Sequence, residues 1–444
     1  LPKENDNLTP LTSGNKNIFV SMVAILAGIA FGSDMSIAKP IAPLIKHEFN
    51  LNCFEKDFVI SIWFVGALVG GLTGGFLIDS FGRRWTMILT LVFLTFGALL
   101  SALANHYILL LVARMICGYS GSVSAIAHCI YMAEVSELNK RGYNIILYQL
   151  GVATGFLISV IAAAIKNIDY QWRFSIGITA VPALTACIIT IIFLQRSPPF
   201  LLYKRMANVS KTSSKKAWYT IFETLTIMAF LLIFQQGTGK RQVLYYAPRL
   251  FALLGICSIN SFVYTDVAEV TALISLAIVK YHLVQKHGRK LKHLAKYIFL
   301  IYSDSLLLIS LQIQNIAVSD GLTDSLRILA VITLLVYEAA YALGLGPVPL
   351  LNLTEVFPAA VRGKCISFVS IVIWITHIIA TESVSAMTSK FFTFLFLIID
   401  ISFMCLVTIF YVFLFIPETK GKSLHQIAQE LRKISIKRYN GNTN

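Results

Sequence analysis

Long apolar stretches, separated by short polar segments, make up most of this chain. Crossing a bilayer as an α-helix takes about 20 apolar residues, and twelve of the stretches are close to that length. We find no alternation of apolar and polar positions of the kind that predicts β-strands. The pattern therefore predicts an all-α polytopic membrane protein, with spans at 17–38, 57–80, 86–104, 107–132, 145–165, 174–194, 218–239, 261–283, 294–316, 326–352, 366–389 and 391–416.

The composition agrees with a membrane protein and argues against several other classes. Of the 444 residues, 57% are hydrophobic and 13% are charged, which is unlike a soluble domain. The first apolar run has no cleavage-like ending, so it predicts a span rather than a signal peptide. The seven cysteines are scattered, which favours packing roles over a disulfide framework or a metal site. No Walker-type loop or nucleophile–base pair is present, so we expect neither enzymatic activity nor a cofactor.

Positive charge is concentrated in the segments that follow the even-numbered spans. The positive-inside rule places such segments in the cytoplasm, and with them both termini. The net charge of +15 is dispersed over these membrane flanks, so it does not indicate a nucleic-acid partner. We therefore expect a multi-pass protein embedded in the lipid bilayer of the plasma membrane. The flanking cations include Arg83, Arg84, Lys140, Arg141, Arg196, Arg289, Lys290, Arg362, Lys364 and Lys420.

Two motifs in the first half of the chain return in the second half. Gly82–Arg84 reads GRR, and Gly288–Lys290 reads GRK. A glutamate also precedes an arginine by the same spacing in AEVSELNKRG and in TEVFPAAVRG. This repetition predicts two six-helix halves with a substrate path between them. We expect the halves at 1–196 and 218–416, with a short cytoplasmic linker at 197–217 and a cytoplasmic tail at 417–444.

A polar cluster, QQGTGKRQVLYY at Gln235–Tyr246, follows the apolar run of span seven. Polar side chains in a span are costly unless they face a protein interior or a wet cavity. The glycines loosen the helix, and irregular backbone at membrane depth is tolerated where it lines a cavity. An amide offers donors and an acceptor to a diol without carrying charge. The cluster therefore predicts a site for a polyhydroxylated ligand, unless it is an ordinary polar helix end at the water boundary.

Five motifs occur in order along the chain: GGFLIDSFGRRW, AEVSELNKRG, QQGTGKRQVLYYAP, GLGPVPLLNLTEVFP and PETKGKSL. Together they resemble the sugar porter family of the major facilitator superfamily, and the resemblance covers nearly the whole chain. It implies a twelve-helix transporter that moves hexose-like sugars by alternating access. Two alternatives stay open. One is a transporter of another polyol or small solute, and the other is a transporter-like sugar receptor that signals without flux.

The resemblance implies sugar contacts in three spans. Gln149 in span five matches a sugar-binding glutamine of the family. Gln235 and Gln236 match the paired amides of span seven. Trp374 in span eleven matches a tryptophan that packs on the pyranose face, and simple packing in the core is its alternative explanation. These side chains come from both halves, so the resemblance places the sugar between the halves.

Three residues depart from the family pattern near this site. Arg241 stands where the family has an asparagine, five residues after the second glutamine of the pair. Leu350 replaces a tryptophan, and Ile373 replaces an asparagine. We expect these three departures to widen the sugar site, to change which substrate it binds or to weaken its binding of glucose. Arg241 itself and the nearby Tyr245 belong to the candidate sugar contacts.

Asp34 in span one and Arg114 in span four are charged residues inside apolar stretches. An isolated charge in a span is expensive, so each is expected to have a partner. Asp34 matches the position where proton-coupled sugar porters carry aspartate, and Arg114 matches the partner cation of the family. The resemblance therefore implies that protons are coupled to transport through this pair. A permanent ion pair that only holds two spans together is the alternative.

Charged motifs at the span ends resemble the latches that join the two halves of a sugar porter when its inner gate is shut. Carboxylate–guanidinium pairs can form and break as the halves rock. Charges that only set the orientation in the membrane are the alternative. Arg196 and Gln285 stand where the family has acidic residues, which weakens the network. The candidate latch residues are Asp79, Arg83, Arg84, Glu134, Arg141, Arg289, Glu355, Arg362 and Glu418.

Overall fold

The computed structural model of this protein is helical throughout the part of the chain that it describes. That part comprises residues 14–136, 141–164, 171–194, 215–238, 324–343 and 361–387, with Leu353, Val356, Phe357, Phe403, Met404, Leu406, Val407, Thr408, Phe410 and Tyr411. No strand occurs among these residues, in agreement with the all-α prediction. The predicted spans at 261–283 and 294–316 lie outside them.

Ten helices account for most of the described residues, and seven stretches of them are long and apolar enough to cross a membrane. These stretches match predicted spans one to six and span eleven. α6 and α7 together form the sixth stretch. The helices are α1 (Gly14–Glu48), α2 (Cys53–Phe81), α3 (Arg83–Ala102), α4 (Tyr107–Val135), α5 (Arg141–Ala164), α6 (Gln171–Gly177), α7 (Ala180–Phe193), α8 (Lys215–Gly237), α9 (Asp324–Leu343) and α10 (Arg362–Met387).

Helix α1 is longer than the apolar pattern predicts. The pattern ends span one at residue 38, whereas α1 continues to Glu48. Ile41 and Ile45 in the extension are buried in a core cluster that also contains Trp172 of α6. Packing against another helix therefore stabilises the extra turns, and the hydropathy of the chain alone does not reveal it.

Span six is divided into two helices, although the apolar pattern predicts a single helix at 174–194. The break lies at Ile178 and Thr179. Thr179 donates both its N–H and its hydroxyl to the carbonyl oxygen of Ile176, at 3.1 and 2.7 Å. Pro182 has no N–H to donate to the carbonyl of Ile178, so the regular helical bonding cannot run through this point. Local turn chemistry and a proline thus interrupt an otherwise continuous apolar segment.

The GRR motif makes the turn between α2 and α3. Gly82 has a φ of 84°, in the left-handed region that glycine enters without a steric penalty. Its N–H donates to the carbonyl of Ile78 at 3.1 Å, which closes the last turn of α2. Because the turn is a single residue, Arg83 and Arg84 fall in the first turn of α3. The motif therefore places two cations where two spans meet.

Four glycines bring α1 and α5 into backbone contact. They are spaced four residues apart, at Gly28 and Gly32 on α1 and at Gly151 and Gly155 on α5. A Cβ atom added at any of them would overlap the backbone of the facing helix. Small residues permit such close approach between membrane helices, where van der Waals packing drives association. α1 and α5 thus form one closely packed pair, which we call the α1–α5 pair.

One hydrophobic core unites helices from both ends of the chain. Buried side chains of α1, α4 and α5 lie in the same cluster as those of α8 and α10. Other large apolar side chains are exposed on α2, α3 and α7. Exposed apolar surface of this extent is expected where lipid tails surround the helices. It includes Leu72, Phe76, Phe93, Phe96, Ile188 and Ile192.

We expect Gly118→Ala to destabilise the protein. Gly118 of α4 lies against α2, and a Cβ atom there would overlap the carbonyl oxygen of Trp63. Because the obstacle is backbone, the helices must separate, and overpacking of this kind costs about 1–3 kcal/mol. Thermal unfolding of the purified protein measures the loss. Gly177→Ala is the matched control, since its added Cβ atom would meet Ala102 at an ordinary 3.6 Å. Equal melting temperatures of the two variants would contradict the prediction.

Candidate functional site

Asp34 of α1 and Arg114 of α4 form an ion pair inside the helix bundle. Nη1 of Arg114 lies 3.1 Å from the carboxylate Oδ1 of Asp34. Nη1 and Nη2 also donate to the backbone carbonyl of Asp34, each at 3.1 Å. Both residues are only 1% exposed. Additional hydrogen bonds lower the cost of burying an ion pair, and here the backbone carbonyl of Asp34 accepts from both terminal nitrogens of the guanidinium group.

Trp63 of α2 holds the other oxygen of the same carboxylate. Its indole Nε1 donates to Oδ2 of Asp34 at 2.7 Å, and the side chain is 1% exposed. Sequence reasoning did not identify this residue. The available signal was a tryptophan in the middle of an apolar span, whose N–H needs an acceptor when it is buried. We refer to Asp34, Trp63 and Arg114 as the Asp34 cluster.

An aromatic contact joins the Asp34 cluster to α10. The ring centroids of Trp63 and Trp374 lie 5.6 Å apart at an interplanar angle of 72°, an edge-on arrangement that aromatic rings favour. Trp374 donates its Nε1 to the hydroxyl oxygen of Ser122 on α4 at 2.9 Å. His377, one turn along α10, packs edge-on against Phe64 with centroids 4.4 Å apart. In this structure Trp374 is therefore a buried member of an aromatic cluster between α2 and α10.

The paired amides lie at the end of α8, beside α9. Gln235 donates its Nε2 to the hydroxyl of Tyr341 at 3.3 Å. Tyr337, one turn earlier on α9, donates to the backbone carbonyl of Thr238 at 3.2 Å. Gln236 is half-buried. Neither tyrosine belongs to the five motifs that resemble the sugar porter family. The end of α8 thus gathers neutral donors and acceptors, which suit a hydroxyl-rich ligand.

Glu134, near the end of α4, lies between two arginines from different helices. Its Oε1 is 3.2 Å from Nη2 of Arg83 on α3 and 3.3 Å from Nη1 of Arg362 on α10. All three side chains are at most 2% exposed. Asp79 of α2 lies 3.6 Å from Nη1 of Arg83. We call these four residues the Glu134 cluster, in which the bond between Glu134 and Arg362 joins α10 to α4.

The remaining candidate residues lie elsewhere. Arg84 donates Nη2 to the carbonyl of Ile191 on α7 at 2.7 Å, and it bonds there rather than to Glu134. Gln149 is half-buried on α5. Several predicted site residues lie outside the described part of the chain: Arg241, Tyr245, Arg289, Glu355, Glu418 and the side chain of Arg141.

Comparison with known proteins finds a family and several relatives. The family model described as Sugar (and other) transporter matches residues 20–218 and 203–431. Solute carrier family 2, facilitated glucose transporter member 12 from Mus musculus is 26% identical, over 97% of this chain and 88% of the relative. Facilitated glucose transporter member 10 from Xenopus tropicalis is 25% identical, over 93% of this chain and 92% of the relative.

Solved structures with the same fold include the major facilitator proton:xylose symporter XylE bound to 6-bromo-6-deoxy-D-glucose. Its TM-score is 0.81 at 21% identity, over 95% of this chain and 100% of that one. XylE from E. coli in a partially occluded inward-open conformation has a TM-score of 0.71 at 21% identity, over 92% and 100%. This likeness confirms the predicted twelve-helix major facilitator fold of a multi-pass membrane protein. Because the family model matches almost the whole length, this chain belongs to the sugar (and other) transporter family.

Proposed function

We propose that this protein carries hexose-like sugars across a membrane and that proton movement drives the transport. Membership of the sugar transporter family supports the first part, as do relatives named facilitated glucose transporters. Solved structures of the same fold include one named a proton:xylose symporter. The observation that carries the proton part is the buried ion pair of Asp34 and Arg114, since ionisable residues inside membrane spans mark proton and substrate pathways.

Asp34 is the residue to which we assign the proton. In the paired state, Arg114 lies 3.1 Å from the carboxylate and provides its counter-charge. A movement that separates the two residues leaves a buried acid without its counter-charge, and burial then favours the protonated form. Proton binding becomes linked to the direction in which the sugar site faces, which is the linkage that symport requires.

The proposed sugar site uses mostly uncharged side chains from both halves of the chain, 1–196 and 218–416. Amides can bond to vicinal hydroxyl groups as donor and acceptor at once, and an aromatic face packs on the apolar face of a pyranose ring. Arg241 adds a charge that would favour a substrate with acceptor oxygens. The proposed contacts are Gln149, Gln235, Gln236, Arg241, Tyr245 and Trp374.

We further propose that the Glu134 cluster is the inner latch of an alternating-access cycle. Its arginines flank spans on the side that the positive-inside rule assigns to the cytoplasm. Breaking the bond between Glu134 and Arg362 releases the first turn of α10 from α4 and opens the site inward. The linker at 197–217 and both termini lie on this side, and the plasma membrane is the proposed location. The other proposed latch residues are Arg84, Arg141, Arg289, Glu355 and Glu418.

Uptake of radiolabelled sugars into proteoliposomes tests this proposal. A panel of hexoses, pentoses and polyols is offered with and without an imposed pH gradient, acid outside. We expect at least one hexose to accumulate above equilibrium only when the gradient is present. Binding without uptake of any panel member would support a sugar receptor instead. Equal uptake with and without the pH gradient would support uniport and refute the assignment of the proton to Asp34.

We expect Gln236→Ala to weaken sugar binding several-fold while the protein stays folded. Losing one hydrogen bond to a neutral partner costs roughly 0.5–1.5 kcal/mol. Sugar binding to the detergent-purified protein measures the change. Gln171→Ala is the control, because it removes an amide that bonds to the carbonyl of Ala163 in α5, outside the proposed site. If Gln236→Ala bound every transported sugar as tightly as the wild type, Gln236 would not be a sugar contact.

A further inference from the structure

Trp63 contacts both the candidate proton residue and a candidate sugar residue. Its Nε1 lies 2.7 Å from Oδ2 of Asp34 on α1. Its ring lies edge-on against Trp374 on α10, with centroids 5.6 Å apart. Because the side chain is almost fully buried, it cannot shift at one contact without affecting the other. Trp63 is therefore a direct physical connection between the acid and the second half of the chain.

The two carboxylate oxygens of Asp34 receive different donors. Arg114 donates to Oδ1, whereas the indole N–H of Trp63 donates to Oδ2. When Arg114 moves away, Oδ1 loses its donor, whereas Oδ2 keeps the indole N–H of Trp63. An incoming proton therefore binds at Oδ1. The acceptor of the indole N–H then changes from a carboxylate oxygen to the carbonyl oxygen of a neutral acid, and the hydrogen bond loses about half its strength.

We propose that Trp63 is a positioning residue that transmits the protonation of Asp34 to Trp374 on α10. The proposal rests on the proposed function, in which Asp34 takes up the transported proton. When the bond at Oδ2 weakens, the indole is released to tilt against the ring of Trp374. Trp374 also donates its own indole N–H to the hydroxyl of Ser122, at 2.9 Å. The coupling is reciprocal. If protonation of Asp34 changes the affinity for sugar by some factor, a sugar that displaces Trp374 changes the affinity of Asp34 for a proton by the same factor.

Other charged or titratable groups surround this path. Arg114 and Cys117 of α4 lie against Asp34. His377 of α10 belongs to the aromatic cluster that includes Trp374. All three stay unchanged when Trp63 alone is substituted. A pH effect that arises from Cys117 or His377 persists in such a variant, whereas an effect transmitted through the indole N–H is lost.

Trp63→Phe tests the inference, because phenylalanine keeps an aromatic ring and removes the N–H. The affinity of the purified protein for a transported sugar is measured across a pH series, and accumulation is measured in proteoliposomes. Trp172→Phe is the matched control, since Trp172 is also buried and also donates its N–H to a carboxylate, that of Glu48. We expect Trp63→Phe to bind sugar but to lose the pH dependence of affinity and the gradient-driven accumulation. Trp172→Phe keeps both.

The outcomes separate this inference from the proposed function. If the wild type is pH-dependent and Trp63→Phe has the same pH profile, the inference alone is overturned. If the wild type shows no pH dependence, the inference and the proton part of the proposed function both fall. Should Trp63→Phe not fold, acid titration of tryptophan fluorescence takes its place. A change in the fluorescence of the wild type on acidification that is absent from Asp34→Asn supports the inference. If the fluorescence of the wild type does not change, the inference is overturned.

Discussion

Asp34→Asn is expected to abolish the accumulation of sugar that a pH gradient drives, while sugar exchange across the membrane continues. Asparagine has the shape of aspartate, and its amide oxygen can still accept a hydrogen bond from one of the two donors, Trp63 and Arg114, which contact the two carboxylate oxygens at 2.7 and 3.1 Å. The asparagine side chain takes up no proton at physiological pH, so the pH gradient can no longer drive sugar transport through this residue. Exchange needs no net proton movement and therefore persists. The measurement is the ratio of internal to external sugar in proteoliposomes with acid outside.

A purely structural ion pair predicts a different result for the same variant. Removing one partner of a buried pair costs about 3–5 kcal/mol, because the remaining charge is left uncompensated. Expression, thermal stability and exchange would then fall together. Glu48→Gln is the control, since it removes the carboxylate that bonds to Arg173 at 2.5 Å in a more exposed setting at the end of α1. Accumulation above equilibrium by Asp34→Asn would rule out Asp34 as the proton site.

Glu134→Gln is expected to shift the protein strongly towards states that are open at the end of the bundle that carries the Glu134 cluster, which we propose is the cytoplasmic end. Glu134 holds Arg83 and Arg362 together at 3.2 and 3.3 Å, and its side chain is 1% exposed. Solvent screening is weak at such a site, so the variant loses far more than a surface pair contributes. Removing one member of a buried pair costs about 3–5 kcal/mol. Each 1.4 kcal/mol or so is a tenfold change in an equilibrium, so the closed state falls by roughly 100-fold or more.

Labelling of engineered cysteines on the two faces of the protein measures this shift. Positions on the face of the Glu134 cluster should gain reactivity in Glu134→Gln, and positions on the opposite face should lose it. Asp79→Asn provides a graded control, because Asp79 is 27% exposed and lies at the longer distance of 3.6 Å from Arg83. Its effect should be in the same direction and smaller. Unchanged labelling on both faces of Glu134→Gln would exclude the latch role.

The helical architecture was largely predictable because its main signal is local. The predicted span at 57–80 and the observed α2 at Cys53–Phe81 nearly coincide, since the length of an apolar run determines whether it spans a bilayer. The extension of α1 was not predictable in this way. Ile41 is buried against residues far along the chain, and hydropathy contains no information about that contact. The break at Thr179 also depends on hydrogen bonds to a neighbouring turn.

The candidate site was predictable only in part, for a related reason. The cost of an isolated buried charge predicts that Asp34 has a partner, and the structure places Arg114 at 3.1 Å. No such rule points to Trp63, because many tryptophans in spans donate to backbone or water instead. The contact between Glu134 and Arg362 joins residues 228 positions apart. Pairings of that kind depend on how the helices assemble, which the order of residues along one helix does not encode.

The glycine contacts of the α1–α5 pair determine where the protein can bend. Two helices whose backbones touch over two turns cannot slide or rotate past each other without overlap. Asp34 on α1 and Gln149 on α5 therefore move together as parts of one rigid unit, the α1–α5 pair, whereas Arg114 belongs to α4. Any displacement that separates the ion pair therefore has to occur at the interface between the α1–α5 pair and α4. The candidate proton residue Asp34 and the candidate sugar residue Gln149 are thus coupled mechanically, even when neither a proton nor a sugar is bound.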